Sequence, residues 1–202
     1  MSEEQKISLR DKIIEASRNL LLDEGYRGFS LRKVARKIGV SATSIYLHFE
    51  GKDDLIHTLI DESIQKLNAK LAETASKEED PVERLEVLAW TYTNFALENP
   101  REYLIIYVVS SDEMTRYPKE KFRKARQGYE LLTETIEDGV IKGIMDEEDP
   151  RIASYTFWAQ LHGVMSVVLT KRLDSRIDQT AFLEQAIQHI IDGFHVRTSV
   201  DK

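Results

Sequence analysis

Residues 30–52 read SLRKVARKIGVSATSIYLHFEGK, and this stretch decides the fold. Its first serine can cap a short helix that buries Val34 and Ile38, which lie four residues apart on one face. Gly39 permits a left-handed turn after that helix, and Ser41 can cap a second short helix. Two short helices joined by a glycine-containing turn of three to four residues predict a helix-turn-helix.

The second helix of this motif presents small, hydroxyl-bearing and aromatic side chains on its outward side. Ile45 and Phe49, again four apart, are expected to point inward. Small and hydroxyl groups can contact thymine methyls and base edges, whereas Tyr46, His48 and Lys52 can bond phosphate oxygens. The residues predicted to contact DNA are Ser30, Arg32, Ser41, Ala42, Thr43, Ser44, Tyr46, Leu47, His48 and Lys52. The pattern leaves open a plainer alternative, in which two amphipathic helices carry a basic face that is only solvated.

Charge is distributed unevenly along the chain. Residues 1–52 hold ten Lys and Arg against seven Asp and Glu, an excess of +3, although the whole chain of 202 residues carries a formal charge of −7. The first helix of the motif supplies Arg32, Lys33, Arg36 and Lys37, all of which we expect on its outward side. A basic N-terminal region on an acidic remainder is compatible with nucleic-acid binding, but an excess of this size does not establish it.

Residues 8–60 resemble the DNA-binding domain of the tetracycline-repressor (TetR) family of bacterial regulators. The matching pieces are residues 13–17, 24–26, 29–31, 34–41, 44–49 and 52–55. One departure is Leu47, at a position where the family often has a second aromatic residue. The resemblance implies a homodimer that binds a double-stranded DNA operator, and a pocket for a small-molecule effector in the rest of the chain.

The remainder of the chain predicts helices throughout. No segment shows sustained strand-like alternation with hairpin turns, and Pro81, Pro100 and Pro150 each follow an Asp or Asn that can cap a helix. We therefore expect an all-α fold, with a three-helix DNA-binding domain at 1–51 and a larger helical ligand-binding and dimerisation domain at 52–202. The nine expected helices are about 7–24, 31–38, 42–48, 52–74, 81–98, 100–110, 118–142, 150–172 and 179–196.

The last two expected helices each carry an apolar stripe. Residues 157–164 are similar to a motif in one subgroup of TetR-family C-terminal domains, and that family pairs its last two long helices with those of a second copy. The resemblance therefore implies a dimer interface formed by Phe157, Leu161, Val164, Met165, Val168, Phe182, Ala186, Ile190 and Phe194. Amphipathicity cannot separate an interface from an intramolecular core, so both interpretations stay open.

An effector pocket would be lined by aromatic and polar side chains of the larger domain. The candidates are Trp90, Phe95, Tyr103, Tyr107, Tyr129, Trp158 and His162. Pockets and cores use the same residue types, so each candidate also has an interpretation as a core residue. We expect an apolar or aromatic effector.

Other function classes find little support in the sequence. The chain has no cysteine, no glycine-rich phosphate loop and no nucleophile elbow, and none of its five histidines is paired with another at i,i+4. We therefore expect no metal, no cofactor and no enzymatic activity; a helical ligand carrier or small enzyme, and a helical interaction module without DNA binding, are the alternatives. The N-terminus has no apolar segment typical of a signal peptide, and the longest apolar run spans only 104–109. These features predict a cytoplasmic protein that is not inserted in a membrane.

Overall fold

The computed structural model describes residues 8–107, 114 and 119–194, and this part of the chain contains ten helices and no strand. The all-α prediction is therefore confirmed. The helices are α1 (Leu9–Gly28), α2 (Leu31–Ile38), α3 (Ala42–Tyr46), α4 (Lys52–Ala75), α5 (Pro81–Glu98), α6 (Pro100–Tyr107), α7 (Lys119–Ala125), α8 (Gln127–Ile141), α9 (Pro150–Leu169) and α10 (Gln179–Asp192).

The expected helix 118–142 is divided into α7 and α8 at Arg126, which explains the count of ten rather than nine. Pro118, its expected first residue, lies outside the described residues, as do the ends of the expected helices 100–110 and 179–196. The other helices begin and end close to their expected positions.

The chain folds as two compact units. The first contains the described residues of Met1–Ile64 and Arg101–Phe122, and the second those of Gln65–Pro100 and Arg123–Lys202. The division falls inside α4 and groups nearly all of α6 with α1 to α3, whereas the sequence suggested a boundary at residue 51. That boundary between DNA-binding and ligand-binding functions stays a prediction.

An apolar core holds the first unit together. Val34 and Ile45 are fully buried in it, and Ile105 of α6 lies in the same cluster. Gly39 ends α2 in the left-handed conformation, with φ 72° and ψ 34°, and Val40 packs against the core just after it. The glycine turn was predicted, and Val40 is half-buried at the corner that follows it.

The last turn of α1 is offset by a kink. Gly25 has φ 66° and ψ −179°, a region of backbone space that is essentially restricted to glycine. The regular helix therefore stops at Gly25, as the sequence predicted, and a final turn carries the chain through Tyr26 to Gly28. The kink sets the position of the Tyr26 side chain.

Arg18 joins three helices of the first unit. Its guanidinium donates a 3.0 Å hydrogen bond to Ser63 Oγ of α4 and lies 3.6 Å from a carboxylate oxygen of Glu62. A carboxylate oxygen of Glu102, in α6, lies 3.8 Å away. The Arg18 side chain is only 13% exposed, so these contacts are less screened by solvent than an ordinary surface ion pair. They connect α1, α4 and α6 by charge as well as by apolar packing.

In the second unit, α5 packs against α8, α9 and α10, and α9 packs against both α8 and α10. Asp80 and Asp149 cap α5 and α9 as predicted, accepting backbone N–H bonds from Val82 at 2.8 Å and Arg151 at 2.9 Å. Asn99 differs from its predicted role as the cap of α6. Its Nδ2 donates to the Phe95 carbonyl at 3.1 Å, so the side chain bonds the end of α5 instead.

Candidate nucleic-acid interface and effector-binding unit

The short helix α3 is fixed in place by buried side chains on its inner side. Ile45 is fully buried and Phe49 nearly so, as their four-residue spacing predicted. Ser41 begins the helix by accepting the Ser44 N–H at 3.1 Å. The N–H groups of His48 and Phe49 both donate to the Ile45 carbonyl, at 2.9 and 3.0 Å, so the chain tightens where a longer helix was expected. These bonds fix which side of α3 faces outward.

The outward side of α3 is open to solvent. Tyr46 is 58% exposed and Leu47 is 81% exposed, and Thr43 and His48 are exposed beside them. Ala42 and Ser44 are only half-buried, and Ala42 packs partly against the core. This side of α3 is therefore accessible to a partner, as a DNA-contacting surface requires.

The hydroxyl groups of the two capping serines differ in their surroundings. Ser30 Oγ accepts the Lys33 N–H at 3.3 Å, and Ser41 Oγ lies 2.8 Å from Ser44 Oγ. A serine hydroxyl that accepts at an N-cap still has its own O–H. Ser30 can therefore cap α2 and donate to a phosphate at the same time.

The basic residues of α2 differ in their surroundings. Arg32, Arg36 and Lys37 are exposed, as expected. The expectation that Lys33 faces outward with them is wrong, because its Nζ donates to the Gly28 carbonyl at 2.8 Å and pairs with Glu24. Lys33 therefore fastens α2 to the end of α1.

Lys52, at the start of α4, lies over an aromatic ring. Its Nζ is 3.7 Å from the ring centroid of Tyr26, and Tyr26 Oη donates to Asp53 Oδ1 at 2.7 Å. The sequence analysis did not identify Tyr26 as a functional residue. The sequence feature that could have indicated it is its position directly after Gly25, where the helix was expected to stop.

This arrangement agrees with the comparisons with known families. Residues 13–59 match the family described as "Bacterial regulatory proteins, tetR family", and residues 85–190 match "Tetracyclin repressor-like, C-terminal domain". This chain belongs to the TetR family. The TetR family consists of transcriptional regulators, and this agrees with the expectation that the chain is not an enzyme.

Individual TetR relatives are distant but extend along most of the chain. The Fatty acid metabolism regulator protein of Bacillus subtilis (strain 168) is 21% identical over 189 residues, covering 91% of this chain and 94% of that protein. The transcriptional repressor KstR2 of Mycobacterium tuberculosis (strain CDC 1551 / Oshkosh) is 21% identical over 145 residues, covering 69% and 72%. The structure of FadR from Bacillus subtilis in complex with stearoyl-CoA superposes with a TM-score of 0.75 at 18% identity, covering 91% of this chain and 98% of that one. At this identity the superposition establishes a shared TetR fold.

The candidate effector residues fall into two groups. Tyr103 and Tyr107 lie in the first unit, with ring centroids 4.9 Å apart, and the other five lie in the second unit. Tyr103 and Phe95 are almost fully buried, which favours the core interpretation for these two residues. Trp90 is half-buried on α5.

The remaining candidates form an aromatic cluster in the second unit. The Tyr129 ring stacks on Tyr155 at 4.6 Å and meets Trp158 edge-on at 5.4 Å. Trp158 stacks on His162 at 5.1 Å, and His162 Nδ1 lies 3.4 Å from Tyr92 Oη. Sequence reasoning found three of these residues and missed Tyr92 and Tyr155. The spacing of Tyr155 and Trp158, three apart on one helix, was a usable signal for Tyr155.

A separate cavity of about 440 Å³ lies between the C-terminal half of α4 and the start of α8. Asn68, Gln127 and Glu130 give it a polar wall, with Leu131 among its apolar residues. None of the seven predicted effector residues lines this cavity. Its size is that of a small-ligand site, and its lining combines these polar side chains with apolar surface.

Most of the predicted dimer-interface residues are covered by their own chain. The buried ones are Phe157, Leu161, Met165, Val168, Ile190 and Phe194, and the half-buried ones are Val164, Phe182 and Ala186. These six side chains pack within their own chain, which leaves them little exposed surface, and their place in a dimer interface stays a prediction. The outer side of α9 instead exposes Ile152 at 67% and Tyr155 at 43%, with Ala159 and Gly163 exposed further along the same helix.

Residues 8–107, 114 and 119–194 lack two further features. Within these ranges, no three His, Asp or Glu side chains are grouped so that they could bind a metal ion. None of the helices described in these ranges combines the length and apolar character needed to cross a membrane.

The burial of His162 predicts a pH-dependent stability. Burial lowers the pKa of the His162 imidazole, so the folded chain favours its neutral form. Below about pH 6.5 the unfolded chain binds a proton that the folded chain disfavours, and stability falls. Urea titrations at pH 7.5 and 5.5, at one protein concentration, measure the free energy of unfolding. Between pH 7.5 and pH 5.5 this free energy should fall more in the wild type than in His162→Gln. Equal drops in the two proteins would contradict this prediction.

Proposed function

We propose that this TetR-family protein is a homodimeric repressor that binds a palindromic operator and is released by a small, largely apolar effector. The observation that carries the proposal is the exposed outer side of α3, held by the buried Ile45 and Phe49. A short helix with this exposure can enter the major groove of B-form DNA. Because bacterial operators lie in the cytoplasm, we propose that the protein acts there.

The proposed contacts divide by chemistry. Thr43, Ser44 and Leu47 are suited to base edges and thymine methyls, because a hydroxyl or a methyl group is what those edges recognise. Lys52 and Tyr46 are suited to phosphates, together with Ser30, Arg32, Ser41 and His48. In a dimer, two α3 helices would occupy half-sites roughly 34–36 Å apart.

Lys52→Gln and Tyr46→Ala should weaken binding to every DNA sequence, whereas Thr43→Val should change which sequences are preferred. Loss of a phosphate contact lowers the slope of log affinity against log salt by about 0.9, or about 1.8 for the two Lys52 residues of a dimer. The measurement is fluorescence anisotropy between 50 and 200 mM salt, on duplexes that the wild type selects from a random pool. Lys77→Gln, an exposed lysine of the second unit, is the control and should match the wild type. An unchanged salt slope in Lys52→Gln would exclude the proposed docking.

For the dimer, we propose the outer side of α9 in place of its buried stripe. Ile152, Tyr155 and Ala159 form an open apolar depression of about 730 Å³ on this side, with Arg151 and Gln160 at its edges. A second copy is the proposed occupant, because the family resemblance assigns dimerisation to the last two long helices and this side of α9 is exposed in the single chain. Gly163, exposed on the same helix, would permit close approach of two backbones.

Ile152→Asp should convert the dimer to a monomer, because a carboxylate would be desolvated in the interface without a partner. The matched control is Ile141→Asp, which alters an isoleucine of α8 that is 79% exposed. Sedimentation velocity at micromolar concentration distinguishes the two species. A wild type that sediments as a monomer, or two variants that stay dimeric alike, would contradict the proposed interface.

An apolar effector is supported by the relatives. One relative is named for fatty acid metabolism, and one structure of similar fold holds stearoyl-CoA. We propose a long-chain acyl compound as the class of effector.

The proposed release is a conformational shift. α4 runs through both units, and α6 follows α5 after a single residue, Asn99, yet contributes Ile105 to the core of the first unit. An effector that displaces α4 or α6 would change the spacing of the two α3 helices in the dimer. A preference of about 1–3 kcal/mol for the displaced state weakens operator binding about 5–150-fold.

Stearoyl-CoA is the probe for this part of the proposal. It should raise the Tm of the protein and release it from selected DNA, because a ligand that binds only the folded state stabilises it. Coenzyme A without the acyl chain is the matched control and should do neither. If both compounds act equally, the acyl chain is not what the protein recognises.

A further inference from the structure

We propose that Tyr26 is a positioning residue that holds the Lys52 ammonium ready for a DNA phosphate. This inference rests on the proposed DNA binding of the first unit. It assigns a role to the kinked end of α1, which carries none of the predicted contacts.

The geometry favours an attractive contact between charge and ring. At 3.7 Å from the ring centroid, Lys52 Nζ lies well within the distance at which the negative face of an aromatic ring attracts a cation. The ring occupies one side of the ammonium and leaves N–H groups on the other side for an acceptor. A lysine held in this way loses less rotamer freedom when it meets a phosphate.

The hydroxyl of Tyr26 gives the ring a fixed rotation. Its 2.7 Å bond to Asp53 Oδ1 ties the last turn of α1 to the first turn of α4. Because Asp53 follows Lys52 directly, the same bond sets the ring relative to the backbone that carries the lysine. Gly25 allows this approach, since its φ of 66° places Tyr26 after a kink rather than in the continuing helix.

A purely structural role is the competing explanation, because Tyr26 is half-buried and packs against the core. A double-mutant cycle distinguishes the structural role of Tyr26 from the positioning role. Wild type, Tyr26→Leu, Lys52→Gln and the double variant are titrated with a mixed-sequence 40-base-pair duplex at 50 mM salt, since a phosphate contact does not depend on sequence. Tyr26→Leu should weaken binding about two- to fivefold for each Lys52 contact when Lys52 is present, and should have no further effect in the Lys52→Gln background.

Two outcomes of the cycle would overturn the positioning role: Tyr26→Leu binding like the wild type, or Tyr26→Leu weakening binding equally in both backgrounds. Failure of the wild type to bind the duplex would overturn the proposed function itself, which is a different result. Tyr26→Phe keeps the ring face and loses only the bond to Asp53, so it should fall between wild type and Tyr26→Leu.

A measurement without DNA tests the same contact if Tyr26→Leu does not fold. Because Lys52 Nζ lies 3.7 Å from the ring centroid, we expect the protons on the adjacent Cε to be shifted upfield in a carbon–proton correlation spectrum. The signal is assigned by its loss in Lys52→Gln. Tyr26→Phe should keep this shift. An ordinary lysine shift in the folded wild type would overturn the proposal.

Discussion

A helix of five residues is not stable by itself in water. The conformational entropy lost in forming its first turn outweighs the stabilisation from its few hydrogen bonds. α3 therefore depends on the burial of Ile45 and Phe49 beneath it, and on the left-handed Gly39 that delivers the chain to Ser41. The surface proposed to contact DNA therefore depends on that core for its shape. Its exposed residues can vary in chemistry without loss of the helix, provided that the buried pair and the turn are kept.

The sequence predicted this region well because its determinants are local: caps, a glycine turn and apolar pairs four residues apart. It predicted the second unit less well for a physical reason. α9 is apolar on two sides, one containing Phe157 and Leu161 and the other Ile152 and Tyr155, and periodicity cannot tell which side meets the chain's own helices. The break at Arg126 likewise has no proline beside it, and Gly128, two residues later, lies inside α8.

Lys33 and Lys52 illustrate contacts that the local sequence pattern does not predict. Lys33 and Lys52 carry the same charge in one short basic region, yet Lys33 bonds Glu24 and Gly28 while Lys52 lies over Tyr26. Both differences come from the last turn of α1, whose position follows from the backbone of Gly25 and not from any side chain. These contacts depend on the path of the backbone after Gly25, and neither the spacing nor the composition of the sequence predicts that path.

Ile105 determines whether residues 1–64 can be transferred to another protein without α6. A chimera that transplants only residues 1–64 onto another body would leave an unfilled hole where this side chain sits, and would also part Arg18 from Glu102. Truncating a buried isoleucine commonly costs about 2–5 kcal/mol, a large share of the roughly 5–15 kcal/mol that keeps a domain folded. A graft of residues 1–64 of this chain therefore needs a recipient helix whose side chain fills the same hole.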